Sequence, residues 1–272
     1  MPTPKEVGTR FLELHVPGQP LLMPNAWDIG SAVLFASLGF DALATTSSGL
    51  AATKGRLDGS MTKKQVLDHA AELVHVLDVP LSADLENCFA DDPEGVAATI
   101  TDAVATGLAG GSVEDFSGDA DDPIYELPLA VDRVRAAAEV AHGGANRFVL
   151  TARAENYLHD RPDLADTIGR LQAYQEAGAD VLFAPLVTDP DDLRQLLAAV
   201  DVPVSVLATP GAPSVGELAE LGVSRISVGG AIAAAAYGAA INAVNELRDQ
   251  GTYGYWDLAA AARPAMQSTF RR

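Results

Sequence analysis

The chain of 272 residues contains one cysteine, Cys88, and four lysines. A lone cysteine excludes an internal disulfide and a cysteine-rich zinc site. The lysines are residues 5, 54, 63 and 64, and all lie away from the ends of the strands predicted below. A Schiff-base aldolase needs a buried lysine as its nucleophile, so the sequence disfavours that class of enzyme.

Long apolar runs and positive charge are also scarce. No run is long enough to span a bilayer, and the N-terminus lacks the apolar core of a signal peptide, so we expect a cytoplasmic protein. The formal net charge of −19 argues against nucleic acid or an anionic membrane surface as a partner. An anionic substrate would need a metal ion or a positioned arginine to offset the repulsion.

Short apolar runs rich in β-branched residues are plentiful, and each precedes a segment in which apolar residues recur at helical spacing. The runs are Pro20–Asn25, Leu43–Ser47, Leu81–Glu86, Gly111–Asp115, Phe148–Arg153, Val181–Leu186, Val204–Ala208 and Arg225–Gly229. Eight βα repeats predict an α/β fold, a (β/α)8 TIM-type barrel formed by one domain over residues 1–272. Active sites of such barrels lie at the C-terminal ends of the strands.

Several helix starts are marked by side chains that can cap the first turn. Asp92 and Asp189 each precede a proline at the first helical position, and Ser214 and Glu217 have the spacing of a capping box. The predicted helices are Ile29–Leu38, Thr62–Leu77, Pro93–Thr106, Leu129–His142, Leu164–Ala177, Pro190–Val200, Val215–Leu221 and Ala231–Arg248.

Two stretches stand outside the repeat. The acidic segment Phe116–Leu127 joins the fourth strand to its helix and is predicted to be a mobile flap. Residues 250–272 follow the eighth helix and carry the aromatic residues Tyr253, Tyr255 and Trp256. These aromatics either pack on their own subunit or dock on a partner subunit, and the sequence leaves both open.

Carboxylates cluster at the predicted strand ends. Asp84 and Glu86 are two residues apart in the third predicted strand, so their side chains point to the same face of the sheet. Glu114 ends the fourth strand, and Asp58 lies in the loop after the second. Converging carboxylates stay ionised together only around a cation, and oxygen ligands without histidine suit Mg²⁺ or Mn²⁺. We predict a metal site formed by these four acids, which could otherwise be acids that cap neighbouring helices.

Anion-binding groups lie at the same rim. Arg153 ends the fifth strand and can bind a carboxylate or phosphoryl group through two parallel hydrogen bonds. It could also pair with a rim acid, Glu155 or Glu114, and the two roles are compatible. After the second strand, Thr46–Leu50 offers hydroxyls and backbone N–H groups, and Gly49 would let the backbone approach an anion.

Six motifs of the chain follow one another in a characteristic order. They are Pro24-Asn25-Ala26-Trp27-Asp28, Thr46-Ser47-Ser48-Gly49-Leu50, Leu57-Asp58-Gly59, Ala83-Asp84-Leu85-Glu86, Val113-Glu114-Asp115 and Ala152-Arg153-Ala154-Glu155. In order and spacing they resemble the isocitrate lyase/phosphoenolpyruvate mutase superfamily, from about residue 21 to residue 234.

The resemblance implies Mg²⁺ (or Mn²⁺) held by Asp84, with Asp58, Glu86 and Glu114 acting mostly through waters. It implies a substrate that is a small anionic 2-oxo or 2-hydroxy acid, chelating the metal and reacting through an enolate. The implied substrate-binding residues are Trp27, Ser48, Gly49, Leu50, Asp84 and Arg153, and the implied catalytic residues are Arg153, Glu114 and Ser48. It also implies a homo-oligomer, a dimer or tetramer, with a C-terminal helix (within residues 250–272) exchanged between subunits.

The chain departs from the family pattern in its flap. Phe116–Leu127 has no cysteine, lysine or histidine, whereas the lyase branch has a Lys-rich loop with Cys-Gly-His and the mutase branch has Lys and Asn. Cys88 follows the third strand and is expected to be a packing residue. Glu86 replaces the commoner Asp of the family.

The leading hypothesis is a Mg²⁺-dependent carbon–carbon lyase, with decarboxylation ahead of retro-aldol cleavage because decarboxylation needs no protein base to begin. A retro-aldol step would need one, for which Glu114, Glu155 or Tyr125 are candidates. The main rival is a carbon–phosphorus bond enzyme acting on a phosphonopyruvate- or phosphoenolpyruvate-like compound. A sugar-phosphate isomerase using the loops at 208–211 and 228–230, and a non-catalytic oxo-acid binder, remain open.

Overall fold

A computed structural model describes residues 3–270, and its strands form a nearly closed parallel barrel. The strands are β1 Leu21–Met23, β2 Asn25–Ala26, β3 Leu43–Thr45, β4 Leu81–Asp84, β5 Gly110–Glu114, β6 Val149–Arg153, β7 Val181–Phe183, β8 Val204–Leu207 and β9 Arg225–Ser227. The predicted TIM-type fold is confirmed.

The first predicted strand is divided at Pro24. The residues before it pair with β9, and those after it pair with β3. Proline has no N–H to donate to a neighbouring strand, but the Pro24 carbonyl accepts a hydrogen bond from the Ala44 N–H, 3.1 Å away. β1 and β2 together therefore form one strand of an eight-stranded wall, each half bonded to a different neighbour.

All eight predicted helices are present within a few residues of their expected bounds. The helices are α1 Pro4–Glu13, α2 Ile29–Ser37, α3 Ser47–Thr53, α4 Lys63–Val76, α5 Pro93–Ala105, α6 Leu127–Gly143, α7 Leu164–Glu176, α8 Pro190–Ala198, α9 Val215–Leu221, α10 Ala231–Asp249 and α11 Trp256–Thr269, with a 3-10 turn at Asn156–His159. The predicted C-terminal helical segment is α11, and the capping box at Ser214 and Glu217 begins α9.

Helix α1 was not predicted from the sequence. Thr3 and Glu6 form a capping box at its start. Phe11 of this helix is fully buried against Val149 and Val181, which begin strands β6 and β7. The helix therefore closes the N-terminal end of the barrel, opposite the end where the site is expected.

The third predicted strand is two residues shorter than expected. β4 ends at Asp84, and the chain turns so that Glu86, Cys88 and Phe89 have φ angles of 51°, 59° and 55°. Residues other than glycine rarely adopt positive φ, and such strain is concentrated at functional sites. We predicted that the alternation of side chains along a strand would place Glu86 beside Asp84. The turn after β4 places it there instead.

The predicted flap forms a short hairpin. Phe116 and Ile124 make an isolated antiparallel bridge, and the Ser117 N–H donates to the Pro123 carbonyl at 2.7 Å. The ring of Phe116 stacks on His159 with centroids 3.9 Å apart. These contacts connect the flap to the loop that follows β6.

The C-terminal helices leave a large apolar surface exposed. Ala233 is the only buried residue of α10, while Tyr237, Ile241, Val244 and Leu247 lie along one exposed face. The far end of α11 returns to the barrel, where Thr269 and the α2 residue Ser37 have hydroxyl oxygens 3.1 Å apart. Part of this segment therefore packs on its own subunit, and residues 271 and 272 lie outside the described part.

No helix within residues 3–270 is both long enough and apolar enough to cross a bilayer.

Candidate active site

A cavity of about 180 Å³ lies inside the barrel and extends to the C-terminal ends of its strands. Its polar lining consists of Asn25, Thr45, Thr46, Ser47, Ser48, Asp58, Ser82, Asp84, Ser112, Thr151, Arg153, Arg225 and Ser227. Among the described residues, no histidine, lysine, cysteine or tyrosine lines it. The cavity thus offers hydroxyls, two acids and two arginines, and suits a small anionic molecule.

Asp84 is held at this cavity by hydrogen bonds on both carboxylate oxygens. Oδ1 accepts from Arg153 Nη1 at 3.1 Å and from the Glu86 N–H at 3.3 Å, and Oδ2 accepts from the Ser47 N–H at 3.2 Å. The Asp84 N–H donates to Thr45 Oγ1 at 2.9 Å. Charge-assisted bonds of this kind fix the orientation of the carboxylate.

Arg153 lies between three carboxylates. Nη1 is 3.1 Å from Asp84, Nη2 is 3.2 Å from Glu114, and Nε is 2.8 Å from Glu155. β5 and β6 are paired in a register that places Glu114 directly beside Arg153. Burial raises the pKa of Glu114 well above its ordinary value, although Arg153 opposes the shift. The predicted contacts of Arg153 with rim acids are confirmed.

A buried network behind the cavity positions Glu155. Asp115 accepts the Glu155 N–H at 2.8 Å, the Tyr174 hydroxyl at 2.5 Å and Arg170 Nη1 at 3.2 Å. Burial raises the pKa of Asp115 to about 6 against the effect of these donors. The network joins β5, β6 and α7 and thereby fixes the acid that orients Arg153.

Glu86 gives the strongest indication that these acids bind a cation. Its Oε1 is buried and has no hydrogen-bond partner in the described part of the chain. Burial, followed by the charges of Asp84 and Asp58, raises the pKa of Glu86 to about 7. A cation would satisfy this oxygen and relieve the repulsion between the acids.

The donor set fits Mg²⁺ with few direct protein ligands. Within residues 3–270, no three acidic, histidine or cysteine side chains are grouped so as to hold one metal ion. Mg²⁺ usually keeps several waters and binds through one or two carboxylates, so Asp84 with nearby Glu86 and Asp58 is a sufficient set. Asp58 is exposed at the cavity mouth.

The predicted anion cradle is the start of helix α3. Thr46 caps the helix, and Ser48 Oγ lies 3.0 Å from the Thr46 hydroxyl at the cavity wall. Packing requires a glycine at residue 49, since a Cβ there would lie 2.5 Å from Thr46 Cγ2 and 2.8 Å from Trp27 Cβ. Gly49, Leu50 and Trp27 do not line the cavity, and their role in substrate binding remains a prediction.

Other candidate groups are placed away from the chemistry. The Tyr125 hydroxyl donates to Asp91 at 2.5 Å, and burial together with this bond raises the pKa of Tyr125 to about 12. Cys88 is fully buried with its pKa raised to about 12 by burial, which confirms a packing cysteine. Tyr125 therefore makes a poor general base, and Cys88 stays a thiol.

Asn25 was named in the sequence only as part of a motif, and the structure shows that its side chain holds the loop after β9. Its Oδ1 accepts the N–H groups of Val228 and Gly229 at 3.0 and 2.9 Å. These amides would have to bind the phosphate in the sugar-phosphate isomerase alternative. Because Asn25 already satisfies them, the structure disfavours that alternative.

The sequence model of phosphoenolpyruvate phosphomutase matches residues 11–248. The chain belongs to this family. A solved structure of a Burkholderia cenocepacia protein with a provisional lyase/mutase assignment is 47% identical, with a TM-score of 0.93, 97% of this chain covered and 95% of that one. The 2-methylisocitrate lyase of Escherichia coli is 30% identical over 71% of this chain and 70% of its own. The oxaloacetate decarboxylase of Chromohalobacter salexigens is 29% identical over 100% of this chain and 93% of its own.

The family assignment confirms the resemblance found in the motifs. The chain is an enzyme of the isocitrate lyase/phosphoenolpyruvate mutase superfamily, and its relatives include lyases and mutases. Asp84, Glu114 and Arg153 lie within the matched region and meet at the C-terminal ends of adjacent strands.

Proposed function

We propose that the protein is a Mg²⁺-dependent carbon–carbon lyase that acts on a small 2-oxo or 2-hydroxy acid, with decarboxylation of an oxo acid as the first candidate reaction. Asp84 would hold the ion, with Glu86, Asp58 and Glu114 nearby. The bound ion would supply positive charge that stabilises a developing enolate oxygen. The similarity to a 2-methylisocitrate lyase and an oxaloacetate decarboxylase supports cleavage of a carbon–carbon bond.

We favour decarboxylation over retro-aldol cleavage because of the side chains that form the cavity wall. Its described lining has no histidine, lysine, cysteine or tyrosine that could serve as a base. When the carboxyl group lost as CO₂ is attached to the carbon next to the keto group, the electrons of the broken carbon–carbon bond stay on the substrate as an enolate, which then takes up a proton. No protein base has to remove a proton first. Retro-aldol cleavage requires a base for the hydroxyl proton; of the three candidates, Tyr125 is bonded to Asp91, and Glu114 and Glu155 are both paired with Arg153.

The residues of the chain orient the substrate for this step. Arg153 is fixed by its three carboxylate partners, so the N–H groups left on its Nη atoms can bind a substrate carboxylate in a set direction. Ser48, at the start of α3, offers a hydroxyl on the opposite wall. Phe183 and Leu207 are among the apolar residues that line the same cavity.

The reaction is tested by ¹H and ³¹P NMR of the purified protein with Mg²⁺ and a panel of candidate substrates. The panel contains oxaloacetate, 2-methylisocitrate, isocitrate, other 2-hydroxy diacids and phosphonopyruvate. We expect metal-dependent conversion of an oxo acid to CO₂ and a shorter acid. Phosphate or phosphoenolpyruvate formed from phosphonopyruvate would instead establish the carbon–phosphorus alternative, which the family match also favours. Binding without any product would establish a non-catalytic binder.

We also propose that the exposed face of α10 forms a contact between subunits. Its four exposed apolar side chains lie along one face of the helix, and exposed apolar patches of this kind are typical of protein interfaces. The double substitution of Ile241 and Val244 by glutamate should convert a homo-oligomer to monomers in light scattering coupled to gel filtration. Substitution of Val215, an exposed valine at the start of α9, by glutamate should leave the mass unchanged. A wild-type monomer would contradict the proposal.

A further inference from the structure

A second arginine lines the cavity, and the proposed chemistry does not use it. Arg225 begins β9, is 4% exposed and reaches the cavity from its wall. Successive strand pairings place Arg153, Phe183, Ser205 and Arg225 in one row around the barrel. The two arginines therefore approach the same cavity from strands β6 and β9.

Only neutral groups bond to Arg225. Nε donates to Ser205 Oγ at 2.9 Å, and Nη1 donates to Thr151 Oγ1 at 3.1 Å and lies 3.4 Å from His15 Nε2. His15 Nδ1 lies 2.8 Å from the Phe11 carbonyl and donates to it, which leaves Nε2 as an acceptor for Arg225. Burial, followed by the charge of Arg225, lowers the pKa of His15 to about 3, so the imidazole is neutral.

The charge of Arg225 is left without a counterion. The described residues provide no acidic partner for it and no hydrogen-bond partner for its Nη2. Burial, with a further contribution from Arg153, lowers the pKa of Arg225 to about 9, which still leaves it protonated at neutral pH. The chain has 37 acidic residues, and Arg153 and Arg170 are both paired with some of them.

An unpaired buried cation destabilises a fold, because its hydration is lost without compensation. Its place at the wall of a substrate cavity is explained if an anion completes the pair when substrate binds. Thr151 and Ser205 fix one side of the guanidinium and leave Nη2 without a partner. This arrangement is preorganised for a carboxylate or phosphonate.

We propose that Arg225 binds a second anionic group of the substrate, so that the enzyme selects small acids with an anion at each end over monocarboxylates. The identification of the ligand as a substrate rests on the proposed function. The second group is a carboxylate or a phosphonate, since both present oxygens to a guanidinium in the same geometry.

Calorimetric titration with unreactive probes tests the proposal without requiring turnover. The probes are succinate, butyrate and 3-phosphonopropionate, with Mg²⁺ present. We expect the wild-type protein to bind one of the dianions at least about tenfold more tightly than butyrate, and Arg225→Met to lose that preference, as for a hydrogen bond between charged groups. The tighter of the two dianions identifies the second group as carboxylate or phosphonate.

Thermal unfolding separates recognition from a structural role. Removing an unpaired buried charge should leave the melting temperature of Arg225→Met unchanged or raised. Arg161→Met, at an exposed arginine near the flap, should change neither binding nor stability.

A wild-type protein that binds no dianion more tightly than butyrate, or an Arg225→Met variant that keeps the preference, would overturn the proposal. An Arg225-dependent preference without turnover of any oxo acid would leave it standing and refute only the lyase function.

Discussion

Replacing Asp84 by asparagine is expected to lower the rate of carbon–carbon cleavage by about a thousandfold or more while the protein stays folded. The amide is nearly the same shape and retains one acceptor oxygen for the Ser47 or Glu86 N–H groups. It removes the negative charge that holds Arg153 and that would hold Mg²⁺. NMR measures the rate of product formation by the wild-type protein and by Asp84→Asn. Far-ultraviolet circular dichroism shows whether both proteins are folded.

Asp91→Asn is the matched control for this substitution. Asp91 lies seven residues further along, is exposed, and accepts a hydrogen bond from Tyr125 outside the cavity. Its variant should stay within about threefold of the wild-type rate, because Asp91 does not line the cavity and the amide oxygen can still accept the hydrogen bond from Tyr125. Equal rates for Asp84→Asn and the wild-type protein would remove Asp84 from the mechanism.

Arg133→Met should lower the free energy of unfolding by about 3 to 5 kcal/mol, the range for a buried charged group that leaves several acceptors unpaired. Arg133 of α6 is 1% exposed and donates to the carbonyls of Asn87 at 2.7 Å, Asp91 at 2.8 Å and Ala90. Its guanidinium also lies 4.2 Å from the centre of the Tyr125 ring. It therefore holds the strained turn that carries Glu86.

The matched control is Arg135→Met on the same helix. Arg135 is exposed and pairs with Asp132 within one turn, a contact that contributes less than about 1 kcal/mol. In denaturant unfolding of both variants, the loss of stability should occur in Arg133→Met and not in Arg135→Met. If both variants have the stability of the wild-type protein, Arg133 does not hold the turn.

The barrel was predictable because its signals are local. Apolar runs, helical spacing and caps such as Ser214 with Glu217 each depend on residues close in sequence, and the C-terminal end of the strands then follows from the fold. Helix α1 was missed although Thr3 and Glu6 form the same motif. Helix α3 was not predicted, because its seven residues are too few for a periodic pattern.

The site was predictable in its acids and in Arg153, but not in what supports them. Arg133 and Arg225 act on residues far away in sequence, and no local pattern shows which carbonyl or hydroxyl each will meet. One signal for Arg225 was present, since a charged residue begins an apolar strand. The positive φ of Glu86 also escaped prediction, because the strand pattern continued past the point where the backbone turns.

The central claim is that cleavage depends on an ion held by the acids around Asp84. The direct measurement is the rate of CO₂ release from oxaloacetate by the purified protein after chelation, as Mg²⁺ is added back. The account predicts no turnover above the protein-free rate in chelator and a saturable return of activity with Mg²⁺ that Asp84→Asn lacks. Full turnover in chelator would contradict it.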